Sequence, residues 1–379
     1  RRAAGGGGRR GGVPEGTAMS EPDHDMTPAT GEGASPDFGT KTGRSVPLHR
    51  DDWGDARWSY LYKDDSGYAA REAPETVAEA AVRARTGPLG EVAPGMMHAP
   101  VWTWEVPLYF WTGGIASGSA FVALACDLAG DHRSARIARL VALGALGASP
   151  PLLMLDLGRP ERFYNMLRIF KTRSPMSMGA WCLTVFGNLI AGAVGADLLG
   201  REKTARTLGA ATALAGGYLG SYTGVLLAST AVPLWARSRL YLGPIFVCTA
   251  TGTGGAATQL VLAASGVESG HPTRVALRQV QAGAMTAELV LSMINERRLG
   301  RHAEPLHHSR KMRWAKRLVH AGLGLQALRA RTGRSEAGHA ASVLYLAAGL
   351  LFRYAWVEAG PISARDDRAV AEMARSHAV

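Results

Sequence analysis

Cysteine is scarce in this chain. Three occur in 379 residues, Cys126, Cys182 and Cys248, each alone within an apolar segment. With no CxxC pair and no even-numbered set, a disulfide framework, a cysteine zinc site and an iron–sulfur cluster held by this chain are not expected. Three buried small hydrophobes is the remaining reading. Histidine is missing where haem would need it. A bis-histidine haem requires two facing histidines inside membrane-spanning helices. Only His320 falls in such a stretch, near its end, while His271, His302, His307, His308 and His339 read as loop residues. No haem is expected. Acidic charge is also in short supply: 31 Asp and Glu against 42 Lys and Arg leave a net charge of +11. A basic balance can signal nucleic acid. Here the basic residues gather in loops between apolar segments, not along one soluble face, so no nucleic-acid partner is expected.

What the chain does have is long apolar runs. Its mean hydropathy of −0.01 averages two unlike parts. Residues 1–98 are polar, Gly-rich and charged, and by composition form a largely disordered or peripheral N-terminal tail. Within it, Trp53–Tyr62 is an aromatic knot and Ala73–Arg85 a short helical run. Arg9-Arg10 is followed by no apolar stretch, so a twin-arginine signal is rejected. Residues 99–360 form the transmembrane domain and 361–379 a C-terminal tail. A bilayer core of about 30 Å needs about 20 apolar residues per helix. Spans are expected near 103–127, 137–156, 178–199, 207–231, 241–265, 275–295, 317–332 and 339–357. The fold class is therefore all-α, an integral membrane bundle of about eight transmembrane helices. Loops on one side carry about fifteen basic residues against about eleven on the other, which places both termini in the cytoplasm of a multi-pass plasma-membrane protein.

The densest chemistry lies in Leu155–Trp181, LDLGRPERFYNMLRIFKTRSPMSMGAW, between two apolar segments. Gly158 and Pro160 stop the incoming helix. Arg162–Phe170 has no breaker and suits a short surface helix. Ser174-Pro175 reads as the entry turn of the next helix. Asp156 and Arg159 stand where the second span meets the surface, as a plain ion pair or as a pair that polarises a quinone carbonyl or relays a proton. Glu288 is the deepest acid, a proton carrier or a structural partner of Gln259, Asn188 or a neighbouring span. Glu105 begins the first span, as a proton entry group or as a first-turn acid favoured by the helix dipole. Asp127 and Asp197 sit at span ends and are expected at the interface. Tyr222 sits in GSYTGVLLASTAVPLW, an otherwise apolar helix. A quinone site needs an apolar slot and a hydroxyl or imidazole donor, and Tyr222 supplies one; a core hydroxyl bonded to backbone is the competing reading. Small-residue faces at Gly113/Gly114/Ser117/Gly118, Gly187/Ala191/Gly195 and Gly209/Ala213/Gly217 are packing signals.

Four stretches in order carry a likeness: W.W…YFWTGGIASGSA in the first span, the LDLGRPERF–SPMSMGAW hairpin, YTGVLLA…P.W, and R…EAG.ISARD from Arg353 to Asp366. Over roughly residues 100–367 the chain resembles the polysulfide reductase NrfD family. That resemblance implies a metal-free membrane anchor subunit of a molybdopterin oxidoreductase, formate dehydrogenase- or polysulfide reductase-like. Its implied partners are a ferredoxin-like iron–sulfur subunit with four clusters, a molybdopterin catalytic subunit, and lipid and quinone in the membrane. Electrons and protons would pass to or from menaquinone bound inside the first four-helix bundle. Carried over by motif, Tyr222 becomes the quinone-facing tyrosine, with Glu105 and Tyr109 as further candidates. Val106 and Tyr109 stand where some anchors carry Asn and His. Glu288 and Asp156 become candidate proton relays, and Arg159, Glu161 and Arg162 the partner-subunit interface. The rival readings are a secondary transporter or proton-conducting subunit, supported by Glu288 and Gln259, and a purely structural anchor. The absence of ligand sets has a direct check: absorption and metal analysis of the purified chain should show neither haem nor iron, and a Soret band travelling with it would contradict the reading.

Overall fold

Capping residues decide where the long helices begin and end. In the computed structural model, which describes residues 97–156, 162–333 and 335–376 with side chains to 373, Asp131 accepts from the Ser134 amide at 3.0 Å to open α2. Ser174 caps α5 ahead of Pro175, and Ser309 opens α11 through the Met312 amide at 3.3 Å. Left-handed glycines at 130, 200, 266 and 333 close the turns after α1, α5, α8 and α11. These four turns are tight and lie at one end of the molecule.

In chain order the elements are α1 (Glu105–Leu128), α2 (His132–Gly147), α3 (Ser149–Leu155), α4 (Asn165–Arg168), α5 (Pro175–Leu198), α6 (Glu202–Ala228), α7 (Pro233–Arg237), α8 (Arg239–Ala264) and α9 (Pro272–Leu299). A 3₁₀ turn (Gly300–Ala303) follows, then α10 (Glu304–His308), α11 (Arg310–Thr332), α12 (Ser335–Ala364) and α13 (Asp367–Ser376). The described residues contain no strand. Helices α1, α2, α5 and α6 pack in a ring, as do α8, α9, α11 and α12, and α8 lies against both α1 and α6. Two four-helix bundles therefore share a wall. The wall is made by missing side chains: a Cβ on Gly118 would land on the Ala250 carbonyl, and one on Gly254 on the backbone of Gly118 and Ser119. Such approach lets two helices associate without a hydrophobic drive between them. Of the expected small-residue faces, the one on α1 is a contact; in the other two Gly187 packs on Leu146 and Gly209 on Arg139, while Gly195 and Gly217 face open space.

Five helical segments are long and apolar enough to cross a membrane: α1, α2 with α3, α5, α8 and α12. Helices α6, α9 and α11 have the length but more polar residues. In α9 the polar residues turn inward. Arg274, Gln281, Glu288, Ser292, Asn295 and Glu296 are all buried on one stripe, the inverse of a soluble amphipathic helix. The chain is thus an all-α multi-pass membrane bundle, with which eight crossings are compatible.

Three local expectations change. The second apolar segment is not one smooth helix: it breaks at Ala148, where Pro150 and Pro151 open α3 and withhold amide donors from the preceding turn. The surface helix expected over Arg162–Phe170 narrows to Asn165–Arg168. Asp127 and Asp197, expected at the membrane interface, are buried on Arg139. That side chain, 2 % exposed, donates to Asp127 Oδ2 at 2.6 Å and to both Asp197 oxygens at 2.6 and 2.9 Å. Tail features at Trp53–Tyr62 and Ala73–Arg85, and the stop at Gly158 and Pro160, lie outside the described residues. One arginine between two carboxylates ties α1, α2 and α5 together, and removing it leaves two buried charges unpaired. Arg139→Met should destabilise the folded chain by about 3–5 kcal/mol. Thermal melting in detergent reads this, and adding Asp127→Asn and Asp197→Asn should recover most of the loss; an unchanged melt for Arg139→Met alone would mean the triad contributes nothing.

Candidate functional site

At the end opposite the tight turns, the first bundle holds a cavity of about 50 Å³. At about 10–15 Å³ of such space per water, it has room for roughly three or four water centres. The start of α1 supplies Val106 and Tyr109, α3 supplies Leu152 and its cap Asp156, and the end of α6 supplies Tyr222 and Leu226. The SPMSMGAW segment brings Met176 and Gly179, and α4 brings Met166. Each group arrives by a helix terminus. Tyr109 is eight residues before the Ser117–Gly216 hydrogen bond that fixes α1 on α6, at 2.5 Å. Tyr222 lies two turns beyond that same bond. Gly179 leaves room for the Tyr222 ring, which any Cβ there would strike. Trp102 roofs the site, stacked on Trp235 at 5.0 Å and edge-on to Phe110 at 6.3 Å. Trp235 is itself held by Nε1 donating to the Trp356 carbonyl at 2.9 Å.

The polar content is small and unpaired. Tyr109 is 5 % and Tyr222 4 % exposed, and Tyr222 stacks on Tyr218 at 5.9 Å. Among the described residues neither the Tyr109 nor the Tyr222 hydroxyl has a hydrogen-bond partner. Buried hydroxyls are normally satisfied. Asp156 completes the lining just past the apolar span. Burial pushes its carboxyl from the ordinary 3.8 up to about 6, and the charge of Glu105 adds to the effect. Glu105 itself accepts from the Thr103 hydroxyl and is not part of the lining. The lining supplies two hydroxyl donors and a protonatable carboxyl on an apolar wall, the groups a flat dicarbonyl ring would use once the walls widen to admit it.

The other sequence candidates lie elsewhere. Glu288 is 3 % exposed in the second bundle, accepts from its neighbour Ser292 at 2.8 Å, and borders a much smaller void with Lys316, Thr249 and Phe352. That bond stays within its own helix and does not reach Gln259 or Asn188. Arg162 is exposed on the hairpin, while Arg159 and Glu161 lie outside the described residues. Sequence reasoning assigned no role to Gly179, Met166 or Met176, although SPMSMGAW contains two of them. It also missed Arg353, which lies buried between the bundles, 3.7 Å over the Phe246 ring and donating to the Phe246 carbonyl at 3.1 Å.

The sequence model of the polysulphide reductase NrfD family matches residues 92–315, which include every helix that lines the cavity. The chain belongs to that family. No curated protein matches it. Membership makes this NrfD chain a multi-pass membrane anchor of the kind that serves quinone-interacting oxidoreductase complexes. The family binds quinone in general and typically partners iron–sulfur and molybdopterin subunits. Among the described residues no group of His, Cys, Asp and Glu has the makings of a metal site.

The carboxyl at Asp156 has a measurable signature. Its folded value of about 6 exceeds the unfolded 3.8, so folding takes up a proton between the two and the ionised form costs stability above them. Asp156→Asn cannot ionise. It should melt above the parent at about pH 8 and lose that advantage as the pH falls to about 4. A difference in melting temperature that stays constant over this range would return Asp156 to an ordinary carboxylate.

Proposed function

We propose that this NrfD chain carries electrons and protons between an iron–sulfur/molybdopterin oxidoreductase and menaquinone, with the quinone ring held in the tyrosine cavity of the first bundle. The observation that carries the reading is that two buried tyrosines, Tyr109 and Tyr222, line one apolar slot with hydroxyls that have no hydrogen-bond partner among the described residues. They fit the two carbonyls of a quinone ring, which supplies the two-electron chemistry when bound. The residues do the rest. Tyr222 and Tyr109 orient the ring by donating hydrogen bonds, and Trp102 and Phe110 keep water out. Asp156 holds or accepts a proton at the cavity wall, with Glu105 beside it on the way to the surface. Met166 and Met176 border the slot, and their unbranched, adaptable chains are the parts that yield to a ring larger than the present space. Arg162 stands on the hairpin whose Met166 borders the cavity, and it, with Arg159 and Glu161 just before it in the sequence, is where an iron–sulfur subunit with four clusters would dock within reach of the ring. Both termini are cytoplasmic in this reading.

A second reading, a proton-conducting subunit, is favoured by the inward polar stripe of α9 around Glu288. A purely structural anchor has no use for either feature. Tyr222→Phe separates them, since it keeps the ring seated against Gly179 and removes only the hydroxyl. If that bond contributes about 1–2 kcal/mol in the transition state, quinone-linked turnover of the complex falls roughly ten-fold. Reduction of an artificial dye by the partner subunits stays at the parent rate. Equal quinone-linked turnover in mutant and parent would remove Tyr222 from the site and leave the other two readings.

A further inference from the structure

Four cationic or basic side chains converge at the tight-turn end of the second bundle, on the far side from the tyrosine cavity. They are Arg274 and Arg278 on α9, Arg329 on α11 and His339 on α12. Arg274 is 3 % exposed. Its Nη1 donates to the Val267 carbonyl at 2.6 Å, and its Nη2 lies 2.6 Å from His339 Nε2. Its Nε is buried and has no partner. Arg278 donates to the Ser269 carbonyl at 3.2 Å, and Arg329 to the Ser269 hydroxyl at 2.5 Å. The three guanidinium groups thus surround one short loop, near enough for their charges to act on one another. Gly338 makes the convergence possible. A Cβ there would lie 2.8 Å from Arg329 Cδ and 3.6 Å from Arg278 Cδ.

The loop they surround also carries Glu268, which is exposed. Among the described residues none of the three arginines pairs with a carboxylate. Glu336, exposed on α12, acts on His339. The amino ends of α9 and α12 meet the carboxyl ends of α8 and α11 here, so the helix dipoles oppose one another and the guanidinium groups supply the positive potential. Arginines that merely mark a span end stay solvated and apart, whereas Arg274 is buried and the others are steered onto Ser269. Gathering such groups is unfavourable until an anion enters, and a forked guanidinium suits a phosphate. The depth is right as well: first turns of α9 and α12, last turn of α11, the level of the lipid headgroups.

We propose that Arg274, Arg278 and Arg329 bind a phosphate group, carried by an anionic lipid headgroup or free in solution, at the tight-turn end of the second bundle. The site is independent of the quinone reading. The test uses the full chain in phosphatidylcholine nanodiscs, in the same discs with phosphatidylglycerol added, and in phosphatidylcholine discs with inorganic phosphate. Melting is followed by tryptophan fluorescence, and R278Q/R329Q is compared with the parent. The parent should melt higher in the phosphatidylglycerol arm, and the double variant should lose that gain, its apparent affinity falling roughly ten-fold or more. In neutral discs without phosphate the double variant should melt above the parent, because repulsion has been removed; arginines serving only as donors to Ser269 would give the opposite sign. Gly338→Ala keeps every charge but displaces the stems and should weaken the gain. Arg331→Gln removes an exposed charge from the same helix end and should leave it intact. A gain with inorganic phosphate alone assigns the site to the free anion, and one seen only with phosphatidylglycerol assigns it to lipid. No gain for the parent in either arm, or an equal gain in the double variant, overturns the proposal.

Discussion

Lipid is as apolar as leucine, so two helices in a bilayer gain little by hiding apolar side chains from it. The structure depends instead on one close backbone approach, where α1 crosses α8 at Gly118 and Gly254. Everything else is placed by it. Ser119 donates to the Gly254 carbonyl at 3.3 Å across the crossing, and Ser117 donates from the other face of α1 to Gly216 of α6. Arg353 of α12 wedges beside Gly114 of α1. With α1 fixed between the two bundles, its first turns project Tyr109 into a slot whose other walls are the ends of α3, α5 and α6. A larger residue at Gly118 would push the bundles apart and open that slot at its base.

Buried polar groups in such a bundle are expensive, and how each is satisfied distinguishes structure from chemistry. Arg139 is deeply buried, yet two carboxylates account for it, and its position across α1, α2 and α5 makes it a clasp. Gln281 donates to Gly255 at 3.2 Å and accepts from Ser342 at 3.0 Å, a closed account between α8, α9 and α12. The tyrosine hydroxyls of the cavity are different because nothing among the described residues answers them. Tyr345 is a useful contrast. Its hydroxyl is buried without a partner, but its ring packs on Gly322 in an apolar cluster with Met285, Val319 and Ala348, which contains no acid.

The long helices were legible because bilayer thickness dictates length, and length with apolar content can be read from a window of residues. Caps were legible for the same local reason: Ser174-Pro175 opens α5 as its chemistry requires. What escaped the sequence was long-range. Nothing near Asp127 or Asp197 announces that Arg139, from a third helix, lies between them; as span-end acids they read as solvated. The break at Ala148 was overridden by the apolar run that surrounds Pro150 and Pro151. Tyr222 was found through a local motif, but Tyr109 entered only by resemblance, and Gly179 not at all. A glycine that accommodates a ring from another helix carries no local mark.

The two ends of the molecule have been built differently. At one end the connections are tight turns closed by left-handed glycines, which leave little chain with which to build a surface. At the other end lie all the short elements: α4, α7, the 3₁₀ turn, α10 and α13. They are pinned to the bundle and to one another. Leu234 donates to Ser363 at 3.1 Å, and Glu372 of α13 pairs with Arg301 at 2.8 Å and His302 at 3.2 Å. Ordered elements that do not span the membrane are of use to a soluble partner, which needs a fixed surface above the headgroups. The tyrosine cavity opens toward that same end, beneath α4. Redox groups in a partner seated there would face the slot across the hairpin, whereas a partner at the tight-turn end would be separated from it by the length of the bundle. In the proposed reading the docking surface and the cavity therefore share this end, and the anion site of the second bundle lies at the opposite one.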